Sequence, residues 1–179
     1  MSVGTLKTQH GKVPNLKGSG LKKWLNQFRG EHLNRDTQWL LRFNSRSESH
    51  LVNQHGMEWR DALYNIPQII CNAVWMGRDQ HKKYGMVGAD GKVEKIKWQH
   101  RFYVPIEING EMFVMKIRAD ENLHSKNIYD IKGVKIKKPT TLKGSKTPAA
   151  SFHGNMAEFM ELVKRAFPHD VLNLHPASS

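Results

Sequence analysis

Several residues that could act on a phosphodiester lie close together in this sequence. His100 directly precedes Arg101, Tyr103 follows, and Lys116 and Arg118 stand beyond an Asn109-Gly110 pair. Cleavage of RNA by its own 2′-hydroxyl needs a base for that hydroxyl, an acid for the leaving oxygen and cations for the phosphate. Histidine suits proton transfer because its pKa lies near neutrality. Arginine and lysine hold phosphate oxygens and stabilise charge developing in the transition state. Tyrosine can hold a phosphate oxygen, stack on a base or donate a proton. The candidate catalytic set is therefore His100 or His55 for proton transfer, with Tyr103, Lys116 and Arg118. Arg101, Lys116 and Arg118 are the candidate phosphate ligands. His81 and Lys82, in a charged loop, are candidate substrate contacts, and His50 flanks the same predicted helix as His55.

Other chemistries find no support. No two histidines stand four apart with a glutamate between them, and Cys71 is the only cysteine, so no metal motif and no internal disulfide are expected. Neither a phosphate-binding glycine loop nor a GxSxG turn occurs. No cofactor is expected. Cys71 follows Ile69-Ile70, where it reads as a small buried side chain.

The cationic residues are positioned by a predicted hairpin. Asn-Gly between two alternating runs signals a two-residue type I′ turn, which needs positive φ at both positions. That loop length fixes the register: Ile108 opposite Glu111, Ile106 opposite Phe113, Val104 opposite Met115 and Phe102 opposite Ile117. These pairs make an apolar core face. The other face pairs Tyr103 with Lys116 and Arg101 with Arg118, an unfavourable juxtaposition unless an anion lies between them. The competing reading is a solvated basic face. By the same alternation His100 falls on the core side, at the strand end.

Around the hairpin, LKKWLNQF carries Leu21, Trp24, Leu25 and Phe28 at helical spacing. TQWLLRFN reads as a strand, and SRSES as a cap for a helix entering HLVNQHG. Trp59, Leu63, Ile66, Ile70 and Val74 predict helix, split at Pro67, with Asn65 capping the second piece. Residues 77–97 read as an exposed loop or short ribbon around Asp90-Gly91. Residues 127–136 read as a further strand, and 155–167 as an amphipathic helix. The expected organisation is a flexible arm (1–18), an α+β domain (19–137), a basic linker (138–152) and a C-terminal helix and tail (153–179).

The chain has 179 residues, with 28 Lys+Arg against 16 Asp+Glu, a formal net charge of +12. Such a field attracts polyanions, so nucleic acid is the expected partner, with an acidic protein as the alternative. No apolar run is long enough for a bilayer span and no signal peptide is legible, which predicts no membrane partner and a cytoplasmic site of action.

HGMEWRDALYNIPQIICNA, then HRFYVPIEINGEMFVMKIR, then a strand with Tyr129-Asp130 resembles the barnase–EndoU–colicin–RelE-like nuclease superfamily, in the branch found in phage polyvalent proteins and polymorphic toxins. The resemblance covers roughly residues 20–137. It implies an α+β fold: N-terminal helices on one face of an antiparallel sheet of about four strands, with RNA on the open face; the amphipathic stretch at 155–167 adds a C-terminal helix. It implies a metal-independent endoribonuclease acting on tRNA or mRNA, of toxin or phage-effector type, secreted or phage-injected; for a toxin, charge complementarity points to an acidic immunity protein as partner. Tyr129 joins the candidate substrate contacts on this ground. No glutamate base is apparent in the basic cluster. A non-catalytic nucleic-acid-binding protein and an effector docking an acidic protein are the alternatives.

Overall fold

The Asn109-Gly110 turn forms as its sequence requires, with φ of 51° and 78° at the two positions. In the computed structural model, which describes residues 2–7, 13–54, 58–137 and 152–173, this turn joins the two longest strands. In chain order the elements are β1 (Ser2–Gly4), β2 (Leu6–Lys7), α1 (Gly18–Leu25), β3 (Gly30–Leu33), β4 (Leu40–Phe43), α2 (Ser45–Val52), α3 (Ile66–Asn72) and β5 (Val74–Gln80). There follow β6 (Trp98–Ile108), β7 (Glu111–Glu121), β8 (Lys126–Lys135), β9 (His153–Asn155) and α4 (Met156–Ala166), with 3₁₀ turns at Asn26–Phe28, Arg60–Asn65 and Pro168–Asn173.

The β6–β7 register is the one the two-residue loop dictates: Ile108 opposite Glu111, Val104 opposite Met115, Tyr103 opposite Lys116 and Arg101 opposite Arg118. Strand β8 pairs antiparallel with β7, and β5 antiparallel with β6. Around these four the sheet extends to seven strands in the order β2-β6-β7-β8-β4-β3, with β5 also on β6. Parallel pairs β2–β6 and β4–β8 make it mixed. The fold is α+β with N-terminal helices on one sheet face, as expected, but the sheet is larger and not purely antiparallel. The extra strands are short edge segments or, for β5, a segment whose spacing imitated a helix.

The helical reading from Trp59 to Val74 overran. Its first part is 3₁₀, Pro67 sits in the first turn of α3, and the backbone turns extended at Ala73 (ψ 139°). Asn65 makes no capping hydrogen bond. The cap of α2 is Asn44, whose side chain accepts from Arg46 and Ser47 N–H groups while Ser47 Oγ accepts from Asn44 N–H. The SRSES segment is thus the helix itself rather than its cap, since the reciprocal box forms one residue earlier.

Two apolar cores sandwich the sheet. Phe102, Val104, Ile106, Phe113, Met115 and Ile117 pack with Leu21, Leu25, Leu51, Leu63 and Ile66 from the N-terminal helices. Tyr103, Met112 and Val114 pack on the other side with Phe159, Leu162, Val163 and Phe167 of the C-terminal segment. That second face is not open, which corrects the expectation of a free RNA-facing sheet. The apolar stripe of α4 had to be covered, and the hairpin's second face covers it. The amino-terminal stretch expected as a flexible arm supplies β1, which pairs with β9, β2, which pairs with Ile106 and Glu107, and the buried Val13. Residues 138–151 of the expected linker lie outside the described residues.

Candidate functional site

Alternation along β6 and β7 separates the expected site residues into two groups. On the α4 side, Arg101, Tyr103 and Lys116 are 2 %, 0 % and 6 % exposed. Each is met by a carboxylate of the chain. Asp170, in the 3₁₀ turn after α4, accepts from Lys116 Nζ and Tyr103 Oη, both at 2.7 Å. Arg101 Nε lies 2.9 Å from Asp79 Oδ2. Arg118 is paired with Asp130, its directly opposed neighbour on β8. The anion expected between the hairpin's cations is therefore the protein's own. Burial and Asp170 push the Tyr103 phenol well above its ordinary value. Burial pulls the Lys116 ammonium below its usual value. Burial opposes the Asp170 charge, yet its hydrogen bonds from Lys116 and Tyr103 hold it below the ordinary carboxylate value. Phosphate cannot reach Lys116 or Tyr103 without displacing Asp170 and the segment that carries it, while Arg118, with a 30 % exposed side chain, is held by Asp130.

His100 lies on the opposite face, 2 % exposed, at the end of the main core. The sheet lines up one polar residue from each of four strands here. Arg78 of β5 is directly opposite His100 of β6, and Lys126 of β8 is directly opposite Glu121 of β7. Glu121 lies on the same face as His100, one non-adjacent pair along the ladder. A bulge between Trp75 and Arg78 sets the aim of Arg78. His100 Nε2 and Glu121 Oε2 are 3.4 Å apart, within ion-pair range but not closed as a hydrogen bond. Glu121 Oε1 is 3.6 Å from Lys126 Nζ, which lies 4.4 Å over the Trp39 ring.

The ring of His100 is fixed from behind. Trp75 Nε1–H donates to His100 Nδ1 at 3.0 Å. Indole is a donor only, so Nδ1 is the acceptor and the neutral ring carries its hydrogen on Nε2, facing Glu121. Burial lowers the His100 pKa, and the Glu121 carboxylate only partly opposes this. Trp39 packs edge-on against the same ring at 4.8 Å. The Asn34-Arg35-Asp36 turn supports both tryptophans. Buried Asn34 donates to Ile70 and Ala73 carbonyls and accepts from Thr37 N–H and Oγ1, while Asp36 accepts from Trp75 N–H.

Asp36, Thr37, Trp39, Trp75, Arg78, His100 and Glu121 line a cleft of about 490 Å³. A larger hollow of about 920 Å³ in the 81–97 ribbon holds lysines, apolar side chains, Asp90 and Glu94 but no histidine. The cleft is the stronger candidate for acid–base chemistry because its lining joins a fixed imidazole, two carboxylates, Asp36 and Glu121, the Arg78 guanidinium and two indole rings, with Lys126 beside Glu121. Among the described residues no group of His, Cys, Asp and Glu could hold a metal ion.

Of the other expected residues, His81 and exposed Lys82 stand at the start of the ribbon. Tyr129 stacks on His50 at 4.0 Å with Arg46 and Arg118 over its ring, away from the cleft lining. His55 lies outside the described residues. Sequence reasoning missed Glu121, Arg78, Lys126, Trp39 and Trp75. Glu121 was within reach: continuing the hairpin ladder to Gln99–Asp120 and Trp98–Glu121 sets a carboxylate beside His100.

Among the described residues no helix is long and apolar enough to cross a membrane. No curated protein and no solved structure matches the chain. Its residues 10–129 match the model of large polyvalent protein-associated domain 3, a span that holds every cleft residue and stops short of α4 and Asp170, and the chain belongs to that family.

Proposed function

We propose that the protein is a metal-independent endoribonuclease whose active site is the His100–Glu121 cleft. The carrying observation is that pair, 3.4 Å apart, with Arg78 and Lys126 on the directly opposed strand positions. Glu121, with a 30 % exposed side chain, takes the proton of the 2′-hydroxyl. O2′ then bonds to phosphorus, the P–O5′ bond breaks, and O5′ takes a proton from water. Arg78 and Lys126 offset the charge on the phosphate oxygens. His100, held by Trp75, keeps its Nε2–H toward Glu121 and orients that carboxylate. Trp39 offers a base a stacking surface. The products carry a 2′,3′-cyclic phosphate.

The test is incubation with total RNA in EDTA, with end-group analysis. Cyclic-phosphate ends, and loss of about 100-fold or more in rate for Glu121→Gln, are expected. Intact RNA at high concentrations of folded, unsubstituted protein removes the reading. One observation favours a second reading, binding without cleavage: the buried His100 has its Nδ1 occupied by an indole N–H, which disfavours the imidazolium that a general acid needs. That reading expects salt-dependent RNA binding with no cut product.

A further inference from the structure

The cleft continues outward along β6 into a row where cations alternate with aromatic rings. Arg78, exposed and lining the cleft, lies 3.9 Å over the ring of Trp98. Lys97 Nζ lies 5.4 Å from the Trp98 ring and 5.6 Å from that of Tyr84. On the cleft's other side Lys126 covers Trp39. From Trp39 to Tyr84, rings and cations therefore take turns, with His100 and Glu121 in the middle.

The outer part of the row is carried by an ordered ribbon. His81 N–H donates to Lys97 C=O at 2.7 Å, Gly85 N–H to Glu94 C=O at 3.1 Å and Glu94 N–H to Met86 C=O at 2.9 Å. Val87 and Val93 bridge across its tip. Tyr84 is 43 % exposed and lies outside both apolar cores, so packing does not account for its position. Residues 81–97 hold five lysines (82, 83, 92, 95 and 97) against Asp90 and Glu94, a net of +3.

We propose that Tyr84, Lys97, Trp98 and Arg78 form a platform for single-stranded nucleic acid, which threads nucleotides flanking the scissile one into the cleft. Rings separated by cations match a strand whose bases and phosphates recur together, because every base has a π face and every linkage a charge. A duplex hides its base faces and offers only phosphates. Guanidinium planes also stack on bases, so Arg78 serves both surfaces. The inference rests on the cleft reading for where the strand leads, but its binding test does not depend on cleavage.

The probe is a labelled single-stranded deoxyoligonucleotide of about 12 nucleotides, which suits the site sizes of stacking grooves. It lacks the 2′-hydroxyl and stays uncut. Fluorescence anisotropy at about 150 mM salt compares it with its duplex. Charge attraction alone favours the duplex, whose charge density is higher, so tighter binding of the single strand isolates the stacking contribution. Tyr84→Ala should weaken single-strand binding about tenfold, within the usual range for losing one stacking ring. Lys97→Ala should reduce the slope of log K against log salt by about 0.7. Tyr84→Phe should bind like the unsubstituted chain. A preference for duplex, binding unmoved by Tyr84→Ala, or equal competition by polyglutamate overturns the platform. Binding as expected with total RNA left intact keeps the platform and removes the nuclease reading. Cleaved RNA with binding unmoved by Tyr84→Ala overturns the platform and leaves the cleft reading standing.

Discussion

Replacing Asp170 by alanine should loosen the C-terminal segment from the sheet and expose the cost of the buried hairpin cations. One carboxylate oxygen, Oδ2, accepts from both Lys116 Nζ and Tyr103 Oη at 2.7 Å. The side chains of Lys116 and Asp170 are 7 % and 17 % exposed. Breaking a fully buried pair by removing one partner costs about 3–5 kcal/mol, because a charge is left without compensation. The residual exposure of Asp170 lets water replace part of what is lost, so Asp170→Ala should cost about 2–4 kcal/mol. Urea unfolding measures it as a lowered midpoint at unchanged slope. Lys116→Met removes the stranded ammonium, so the double variant should recover about 2 kcal/mol of the sum, read as coupling in a double-mutant cycle. Stability should also respond to acid. The folded pKa of Asp170 is depressed below its ordinary 3.8. Its contribution is therefore present above pH 3.8 and fades as pH falls through the lower folded value, and Asp170→Ala should remove that part of the acid limb. An Asp170→Ala midpoint indistinguishable from that of the unsubstituted chain, or no coupling to Lys116, refutes the argument.

His100 acts in the same sense but in a higher pH window. Its pKa is lowered from 6.5, so the unfolded chain binds a proton more readily than the folded one, and stability should fall as pH drops below 6.5. A Tm series from pH 7.5 to 5 should show that fall, and His100→Gln should flatten it. Gly133 cannot carry a side chain: a Cβ there would stand 2.7 Å from both Met115 Sδ and Trp59 Cγ. Gly133→Ala should therefore cost about 1–3 kcal/mol by overpacking, checked by denaturant unfolding. Asn34→Ala strands two backbone carbonyls and two donors of the turn beneath Trp39 and Trp75, and should cost about 2–4 kcal/mol while weakening any ligand of the cleft.

The hairpin was legible because local chemistry alone sets it. Asn-Gly fixes the turn, the turn fixes the register, and alternation sorts Phe102 from Tyr103 without knowledge of any other element. What covers each face was not legible in the same way. The apolar pairs announced a core, but the Arg101–Arg118 face read as solvent-exposed because its partners come from distant chain positions: Asp79 on β5 and Asp170 beyond α4. Strand β5 was hidden because Ile66, Ile70 and Val74 keep a helical interval across a helix end. Arg78 depends on that strand and on its bulge, so it could not be placed. Trp39 and Trp75 meet edge to face at 6.4 Å beside the Asn34-Arg35-Asp36 turn, which the residue types announced as a turn without saying what it holds.

The protein's two cationic groupings differ in what their charge is free to do. In the inner one, buried Arg101 and Lys116 and half-buried Arg118 stand against Asp79, Asp170 and Asp130, three against three, so this part of the hairpin adds little to the outward field. That balance follows from burial, since a cation taken out of water needs a carboxylate from its own chain. The long-range pull on a polyanion must come from charge left near solvent, and the 81–97 ribbon, five lysines to two acids, is such a place. The cleft lies between these regimes. Its Glu121 is shared between His100 and Lys126 at 3.4 and 3.6 Å, distances that leave its oxygens looser than those of Asp170 at 2.7 Å. A carboxylate held that loosely can exchange its contacts for those of a ligand in the cleft. Asp170, bound tightly by an ammonium and a phenol, cannot readily do so. The difference in contact, rather than the number of charges, is what separates the carboxylate of the proposed site from one that fastens the C-terminal segment to the sheet.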